Sequence, residues 1–303
     1  MIIVPGSVNA DLLFKVARLP KPGETVLCPS YVMAPGGKGA NQAAAAAKAG
    51  AAVAFVGHVG ADAYGPVVRG LLETAGVDCG GLAVSPQPTA IAVIGVEDSG
   101  ENAIIDASGA NLDTAAAQVA DAALGPAATV LCQNEIRTEE TFAVLTRAKR
   151  LGARTVLNMA PAAPVPAEVL GALDLLVVNE HEAEVASGVS GQPAEKVAES
   201  LATGYGLTCV VTLGGAGCIA VTAAQRWRVP VLPIRPVDTT GAGDTFVGVL
   251  TAWLDGGAAL VEALRAASVA AACSCEQVGA QTAQPQRATI LARLADLPPV
   301  TPI

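Results

Sequence analysis

The chain has 303 residues, 52% of them hydrophobic and only 15% charged, which excludes a disordered polymer and is ample for a large buried core. With 18 basic against 27 acidic residues the net charge is -9, no concentrated basic face is found, and charges interrupt every candidate membrane span. Nucleic acid and membrane are therefore not expected partners, although an acidic chain still binds phosphates locally through backbone amides and one or two lysines.

The N-terminal Met-Ile-Ile-Val-Pro-Gly lacks the basic start and long apolar stretch of a signal peptide, so the cytoplasm is the expected compartment. Gly6-Ser-Val-Asn-Ala-Asp11 reads as the end of a first strand and offers an amide, Asn9, and a carboxylate, Asp11. A carboxylate that accepts from two vicinal hydroxyls is a common way to hold a sugar; loop capping explains either residue alone equally well. Residues 11–35 carry Pro20, Pro22, Pro29 and Pro35 around the apolar pieces Thr25–Leu27 and Tyr31–Met33, with no helical period. Next, Pro35-Gly-Gly-Lys-Gly-Ala-Asn-Gln42 opens an alanine-rich helix. It is not a Walker A loop, since no Ser or Thr follows Lys38 and no glycine stands five before Gly37. Lys38 and Asn41 suit polyol hydroxyls, and Gly37 allows close approach.

Residues 89–106 read as two strands, Thr89–Val96 and Asn102–Asp106, joined by the turn sequence Glu97–Glu101. Segments 11–35 and 89–106 together form an expected β-rich lid inserted in a core of 1–10, 36–88 and 107–303. Ile91, Val93 and Ile105 would stay partly exposed on so small a sheet, and pairing with a second copy would cover them. Beyond residue 110, Thr129–Cys132, Thr155–Asn158, Leu175–Val178 and Cys209–Leu213 are apolar at nearly every position, as strands buried on both faces are. Helical patterns alternate with them. Thr138 is an expected cap for a helix carrying Phe142, Leu145 and Leu151 that Gly152 ends, and Pro193 leads into Val197 and Leu201. This alternation predicts an α/β fold with a doubly wound, mostly parallel sheet and helices on both faces.

Three loops at strand ends carry candidate chemistry. Asn179-Glu-His-Glu182 places Asn179 and Glu182 in one helical turn, where they suit a hydrated Mg²⁺ near phosphates; both are also ordinary helix-start residues. Thr212-Leu-Gly-Gly-Ala-Gly217 is a glycine turn without the dinucleotide spacing. Asp238-Thr-Thr-Gly-Ala-Gly-Asp-Thr-Phe246 follows an apolar strand around Arg228–Ile234 and opens a helix through Val249, Leu250 and Trp253. Gly241, Ala242 and Gly243 at that helix start would form an anion hole. Asp244 beside it would repel a phosphate, and makes sense as the base that takes a proton from an alcohol attacking that phosphate. The seven cysteines include no C-x-x-C pair and have only His58 and His181 for company, so neither zinc nor a disulfide framework is expected.

Gly-Gly-Lys-Gly-Ala-Asn-Gln-Ala at 36–43, Asp-Thr-Thr-Gly-Ala-Gly-Asp at 238–244 and Asn179-x-x-Glu182 together resemble the motifs of the ribokinase-like (PfkB) carbohydrate kinases, over nearly the whole chain. Gly6–Asp11, Gly100–Ile105 with Gly109-Ala-Asn111, and Gln133-Asn-Glu135 are similar to the members that phosphorylate D-ribose at its 5-hydroxyl. The resemblance implies that Asn9, Asp11, Gly37, Lys38, Asn41 and Glu135 hold the sugar, with Asp244 as base. It further implies ATP along Asn179, Thr212, Gly214 and Gly217, Mg²⁺ reached by Glu182 through water, and a potassium-type ion held by Asp238, Thr240 and Gly279. A homodimer paired through the lid belongs to the same expectation. Met159, Ser268 and Thr282 depart from the family's usual residues. A nucleoside or other sugar kinase of the same family is the alternative enzyme, and a catalytically silent sugar-binding regulator the alternative from another class.

Overall fold

The computed structural model describes residues 1–97, 99 and 101–303. Residues 98 and 100, inside the expected Glu97–Glu101 turn, lie outside the described residues. In chain order the strands are β1 Ile2–Pro5, β2 Asn9–Val16, β3 Tyr31–Gly36, β4 Val53–Gly60, β5 Asp78–Ser85, β6 Ala90–Glu97, β7 Asn102–Ala107, β8 Thr129–Cys132, β9 Arg154–Asn158, β10 Leu175–Asn179, β11 Thr208–Thr212, β12 Cys218–Val221, β13 Arg226–Val229 and β14 Thr301–Pro302. The helices are α1 Lys38–Lys48, α2 Gly65–Thr74, α3 Thr138–Arg150, α4 Ala167–Leu170, α5 Glu180–Ser187, α6 Ala194–Tyr205, α7 Ala242–Asp255, α8 Leu260–Ser274 and α9 Arg287–Arg293.

The large sheet has the order β14-β13-β12-β11-β10-β9-β8-β1-β4-β5, parallel from β11 to β5 and antiparallel from β11 outward. Its central strands alternate between two cores. Leu131, Val156, Val177 and Val210 pack on one face with α1, α7 and α8, while Val130, Leu157, Leu176 and Val211 pack on the other with α3 and α6. That period of two explains why near-continuous apolar runs mark these strands. No helix among the described residues is long and apolar enough to cross a membrane.

The small sheet has the order β3-β2-β6-β7. Asn9 and Asp11 lie here, in β2, and not at the end of β1 as the sequence suggested; β1 stops at Pro5. The Asn9–Val16 run pairs residue for residue with Ala90–Glu97 in parallel, a long-range partner invisible in the local pattern. Thr25–Leu27 is not a strand, and Leu27 is largely exposed. Ile91 packs against the core and Ile105 is 72% exposed.

Two further expectations are corrected. Thr138 is the first residue of α3 and makes no cap bond; its hydroxyl donates to Asn134 Oδ1. The strand expected around Arg228–Ile234 ends at Val229, because Pro230, Pro233 and Pro236 have no N–H to donate to a ladder.

Helices α1 and α7 cross closely enough to bring their polar ends together. A Cβ on Gly248 would fall inside contact distance of the Gln42 carbonyl oxygen. Gly248→Ala is therefore expected to pry α7 from α1 and lower stability by about 1–3 kcal/mol, measured by urea unfolding, with turnover falling as well.

Candidate active site

The first turn of α7 holds the candidate base. Gly241 adopts φ +72°, and a Cβ there would lie 2.9 Å from Ala280 Cα, so both conformation and space require glycine. The N–H groups of Gly241, Gly243 and Asp244 have no hydrogen-bond partner among the described residues, whereas that of Ala242 donates to the Thr239 carbonyl at 3.2 Å. The expected hole of Gly241, Ala242 and Gly243 thus loses Ala242 to a turn and gains the amide of Asp244. The Asp244 side chain is only 8% exposed. Its Oδ2 accepts from Asn41 Nδ2 and its Oδ1 from Gln42 Nε2, each at 2.9 Å.

In front of this carboxylate lies a cavity of about 190 Å³ lined by Lys38, Asn158, Asn179, Glu182, Thr212, Gly241, Gly243 and Asp244, among others. Asn179 and Thr212 are register partners at the carboxyl ends of β10 and β11, where α/β sheets gather their ligands. Burial alone would lower the Lys38 pKa, but Asp244, Glu135, Glu182 and Asp106 outweigh it and move it up. Lys38 is thus a positive charge lining the same cavity as the amide nest. Gly214 (φ +55°) and Gly217 (φ +89°) form the turn into β12 and line neither this cavity nor the next.

A second cavity of about 250 Å³ is lined by Asn9, Asp106, Ser108, Asn111, Asn134, Glu135 and neighbours. A residue of the second cavity is bonded to one of the first: Glu135 Oε2 accepts from the Lys38 amide at 2.7 Å and also from Ser7 Oγ at 2.7 Å. Gly37 (φ +85°) makes that approach possible, since a Cβ there would lie 3.0 Å from the Ser7 backbone. Asn9 is anchored by Asn111 Nδ2 at 2.8 Å and donates toward Asp106 at 3.4 Å. Asp11 fills the space beside Gly36, its Oδ1 buried without a partner. Burial, then the charges of Asp106, Glu135 and Asp244, push the Asp11 carboxyl up to about 7. Buried acceptors are normally hydrogen-bonded, so this one is an exception, and Asp11 is not among the residues lining either cavity. Asn41 Nδ2 donates to Asp244 and its oxygen accepts from Gln281 Nε2 at 3.0 Å, while its second N–H has no partner among the described residues.

The ion sites can be judged by their donors. Asn179 and Glu182 form a capping box, with Asn179 Oδ1 accepting from the Glu182 amide and Glu182 Oε2 from the Asn179 amide, both at 2.8 Å. That is the helix-start role of these residues, yet Glu182 Oε1 has no hydrogen-bond partner among the described residues and Glu182 lines the cavity. Burial raises the Glu182 pKa. No group of three or more His, Cys, Asp or Glu gathers around a metal position among the described residues. One free carboxylate oxygen fits a Mg²⁺ that keeps its waters and takes phosphate oxygens; it does not make an all-protein cage. At the other loop, Asp238 accepts from the amides of Thr240 and Gly279 at 2.9 Å each. Burial opposes ionisation of Asp238, but hydrogen bonds from Thr240 and Gly279 outweigh it and hold the carboxyl below its usual range. The carbonyls of Thr240 and Gly279 accept no hydrogen bond among the described residues, and an anionic carboxylate with free carbonyls fits a hard monovalent cation. Thr282 donates to the Val278 carbonyl in the same loop, Ser268 is bonded to the Pro230 carbonyl at 2.6 Å, and Met159 is core.

Sequence reasoning missed Gln42, Asn158 and Asp106. Gln42 stood in the quoted loop, but its target lies 202 residues away; Asp106 closed a lid strand whose partner cavity is built by other elements.

Comparison with known proteins gives the same answer from whole-chain similarity. Residues 1–287 match the description "pfkB family carbohydrate kinase". A ribokinase of Haemophilus influenzae is 36% identical over 292 residues, covering 94% of this chain and 95% of its own. The crystal structure of a Thermotoga maritima ribokinase superposes with a TM-score of 0.89 at 33% identity, covering 97% of this chain and 98% of that one. An Arabidopsis thaliana ribokinase complexed with ribose and ATP gives 0.87 at 31%, again over 97% and 98%. With its nest, carboxylate and polar cavities in one fold, this chain belongs to the pfkB family of carbohydrate kinases.

Proposed function

We propose that this chain is a ribokinase, transferring the γ-phosphoryl group of ATP to the 5-hydroxyl of D-ribose. The observation that carries the reading is Asp244, held by two amides at the edge of an open amide nest and facing a lysine. The sugar would sit among Asn9, Asp11, Asp106 and Glu135, with its primary hydroxyl toward Asp244. As O5 attacks the γ-phosphorus, its proton passes to Asp244, the new O5–P bond forms, the bond to the β–γ bridging oxygen breaks, and ADP leaves. The amides of Gly241, Gly243 and Asp244 and the Lys38 ammonium then face the charge on the transferring group. In a loose transition state this positioning and electrostatic support supplies most of the catalysis. ATP would run from the nest along Asn179 and Thr212 toward Gly214 and Gly217.

Glu182 would hold hydrated Mg²⁺, which when bound neutralises charge on the phosphates. Asp238 with the carbonyls of Thr240 and Gly279 would hold K⁺, adding positive charge behind the nest. Val32 (64% exposed), Ile104 and Ile105 leave apolar area on the small sheet, which supports a homodimer paired through it. A compartment rich in ATP, the cytoplasm, suits the reaction.

The test is ADP release with Mg·ATP and K⁺ over D-ribose, 2-deoxyribose, fructose, adenosine and no acceptor. Fast turnover on ribose that falls when K⁺ is replaced by an inert cation is the expected result. Preference for a nucleoside or another sugar would overturn the reading of the sugar cavity, and ribose binding without any turnover would make the chain a silent sugar binder.

A further inference from the structure

Behind Asp244 stands a set of buried carboxamides that all point one way. Asn41, Gln42, Gln133, Asn158 and Gln281 are each at most 7% exposed. Asn158 Nδ2 donates to the Val177 carbonyl at 2.9 Å, an acceptor only, which leaves Asn158 Oδ1 facing Gln42. Gln42 Nε2 donates to that oxygen at 2.8 Å and to Asp244 Oδ1 at 2.9 Å. Gln42 Oε1 accepts from Gln133 Nε2 at 2.7 Å. The opposite orientation of Gln42 would set its oxygen against two acceptors and its nitrogen against a donor, so only one orientation is available. The other oxygen of Asp244 is served in parallel: Gln281 Nε2 donates to Asn41 Oδ1, and Asn41 Nδ2 to Asp244 Oδ2.

We propose that Gln42 is a positioning residue, turned by Gln133 and Asn158, that holds the carboxylate of Asp244 in the one rotamer from which it can take the hydroxyl proton. Asn41, turned by Gln281, does the same for the second oxygen. This rests on Asp244 being the base. Two donors on two oxygens leave the remaining lone pairs as the only acceptors toward the transfer cavity. A carboxylate free to rotate would spend much of its time with neither oxygen aligned, and misplacement of about 1 Å lowers rates by up to 10²-fold.

Gln42→Met keeps length and volume and removes the amide. It is expected to lower kcat roughly 10- to 100-fold while KM for ATP and for the sugar stays within about threefold. In an Asp244→Ala background, followed by single turnover at high enzyme, Gln42→Met should change the residual rate by less than about threefold, because the residue it acts through is gone. Gln133→Met should lower kcat by a smaller factor, and the Gln42→Met/Gln133→Met pair should be no slower than Gln42→Met alone. Unchanged kcat in Gln42→Met, an equal loss with or without Asp244, or losses that multiply in the pair would each overturn the proposal. If Gln42→Met does not fold by circular dichroism, Gln133→Met carries the test, and a wild-type kcat there overturns it. Near-normal turnover of Asp244→Ala alone would instead overturn the base assignment, a result read independently of either glutamine.

Discussion

Asp244→Asn and Asp244→Ala are each expected to lower kcat by about 10²–10⁴-fold while the affinity for nucleotide changes little, as read by initial rates and by direct ATP titration. The separation follows from what the carboxylate touches. In the proposed reaction Asp244 would meet the alcohol, while the nest amides and Lys38, which line the same cavity, would meet the phosphate. Asn at 244 has nearly the same shape but cannot accept the hydroxyl proton, and its NH₂ would confront the Asn41 or Gln42 donor. Ala removes both acceptors and leaves two buried amides unsatisfied, so it should also lower stability by about 1–3 kcal/mol. An Asn variant that folds like the parent and turns over at near-normal rate would sink the base assignment.

Asp11→Asn is expected to raise KM for the sugar roughly 10- to 100-fold with a smaller effect on kcat, since hydrogen bonds to a charged acceptor contribute about 1.5–3 kcal/mol. The pH dependence has a definite sign. The Asp11 carboxyl is pushed up to about 7, by burial first and then by Asp106, Glu135 and Asp244. Above that pH it is the double acceptor that two vicinal hydroxyls need; below it the group is protonated. KM for the sugar should therefore rise by about tenfold per unit as pH falls below 7, with the KM for ATP unaffected. Stability runs the other way. Because the folded pKa lies above the unfolded value near 3.8, ionising Asp11 is a penalty absent below that value and fully present above about 7. Asp11→Asn should thus melt a few degrees higher than the parent at pH 8 and show no gain at pH 4. A sugar KM that is flat from pH 8 to 6, or a variant less stable at pH 8, would contradict this account.

Much of the architecture could be read from the chain because its strands obey simple rules. Leu175–Asn179 is apolar on four consecutive positions since Leu176 and Val178 face one core and Leu175 and Val177 the other. The glycine-rich helix start was legible for a similar reason, since Gly241 at φ +72° against Ala280 admits no other residue, although Gly243 has open space around it. What local pattern could not carry was partnership at a distance. β2 begins with Asn9-Ala-Asp11, polar where a strand start looks like a loop, and only its pairing with β6 defines it. Ala242 appears equivalent to its glycine neighbours until its N–H is found on Thr239. Gln42 carries no signal as a functional residue, because its meaning lies in Gln133, Asn158 and Asp244, gathered from three other segments. The Asn179–Glu182 pair supported two readings, and the capping box shows that the structural one holds, while one carboxylate oxygen makes no hydrogen bond among the described residues.

The small sheet and the base meet through charge. Asp106 from β7 acts on both Lys38 and Asp11, and Asp11 from β2 is raised partly by Asp244 itself. Sugar bound between them would take up hydrogen bonds that now go unmade at Asp11 Oδ1.

The most direct measurement is the structure of the product. The enzyme with Mg·ATP, K⁺ and D-ribose, followed by ³¹P and ¹³C NMR, should yield ADP and a sugar phosphate with phosphorus coupled to C5, and 5-deoxyribose should give none. Phosphorus on the anomeric carbon, or ADP formed at the same rate with 5-deoxyribose, would contradict transfer to the 5-hydroxyl by way of Asp244.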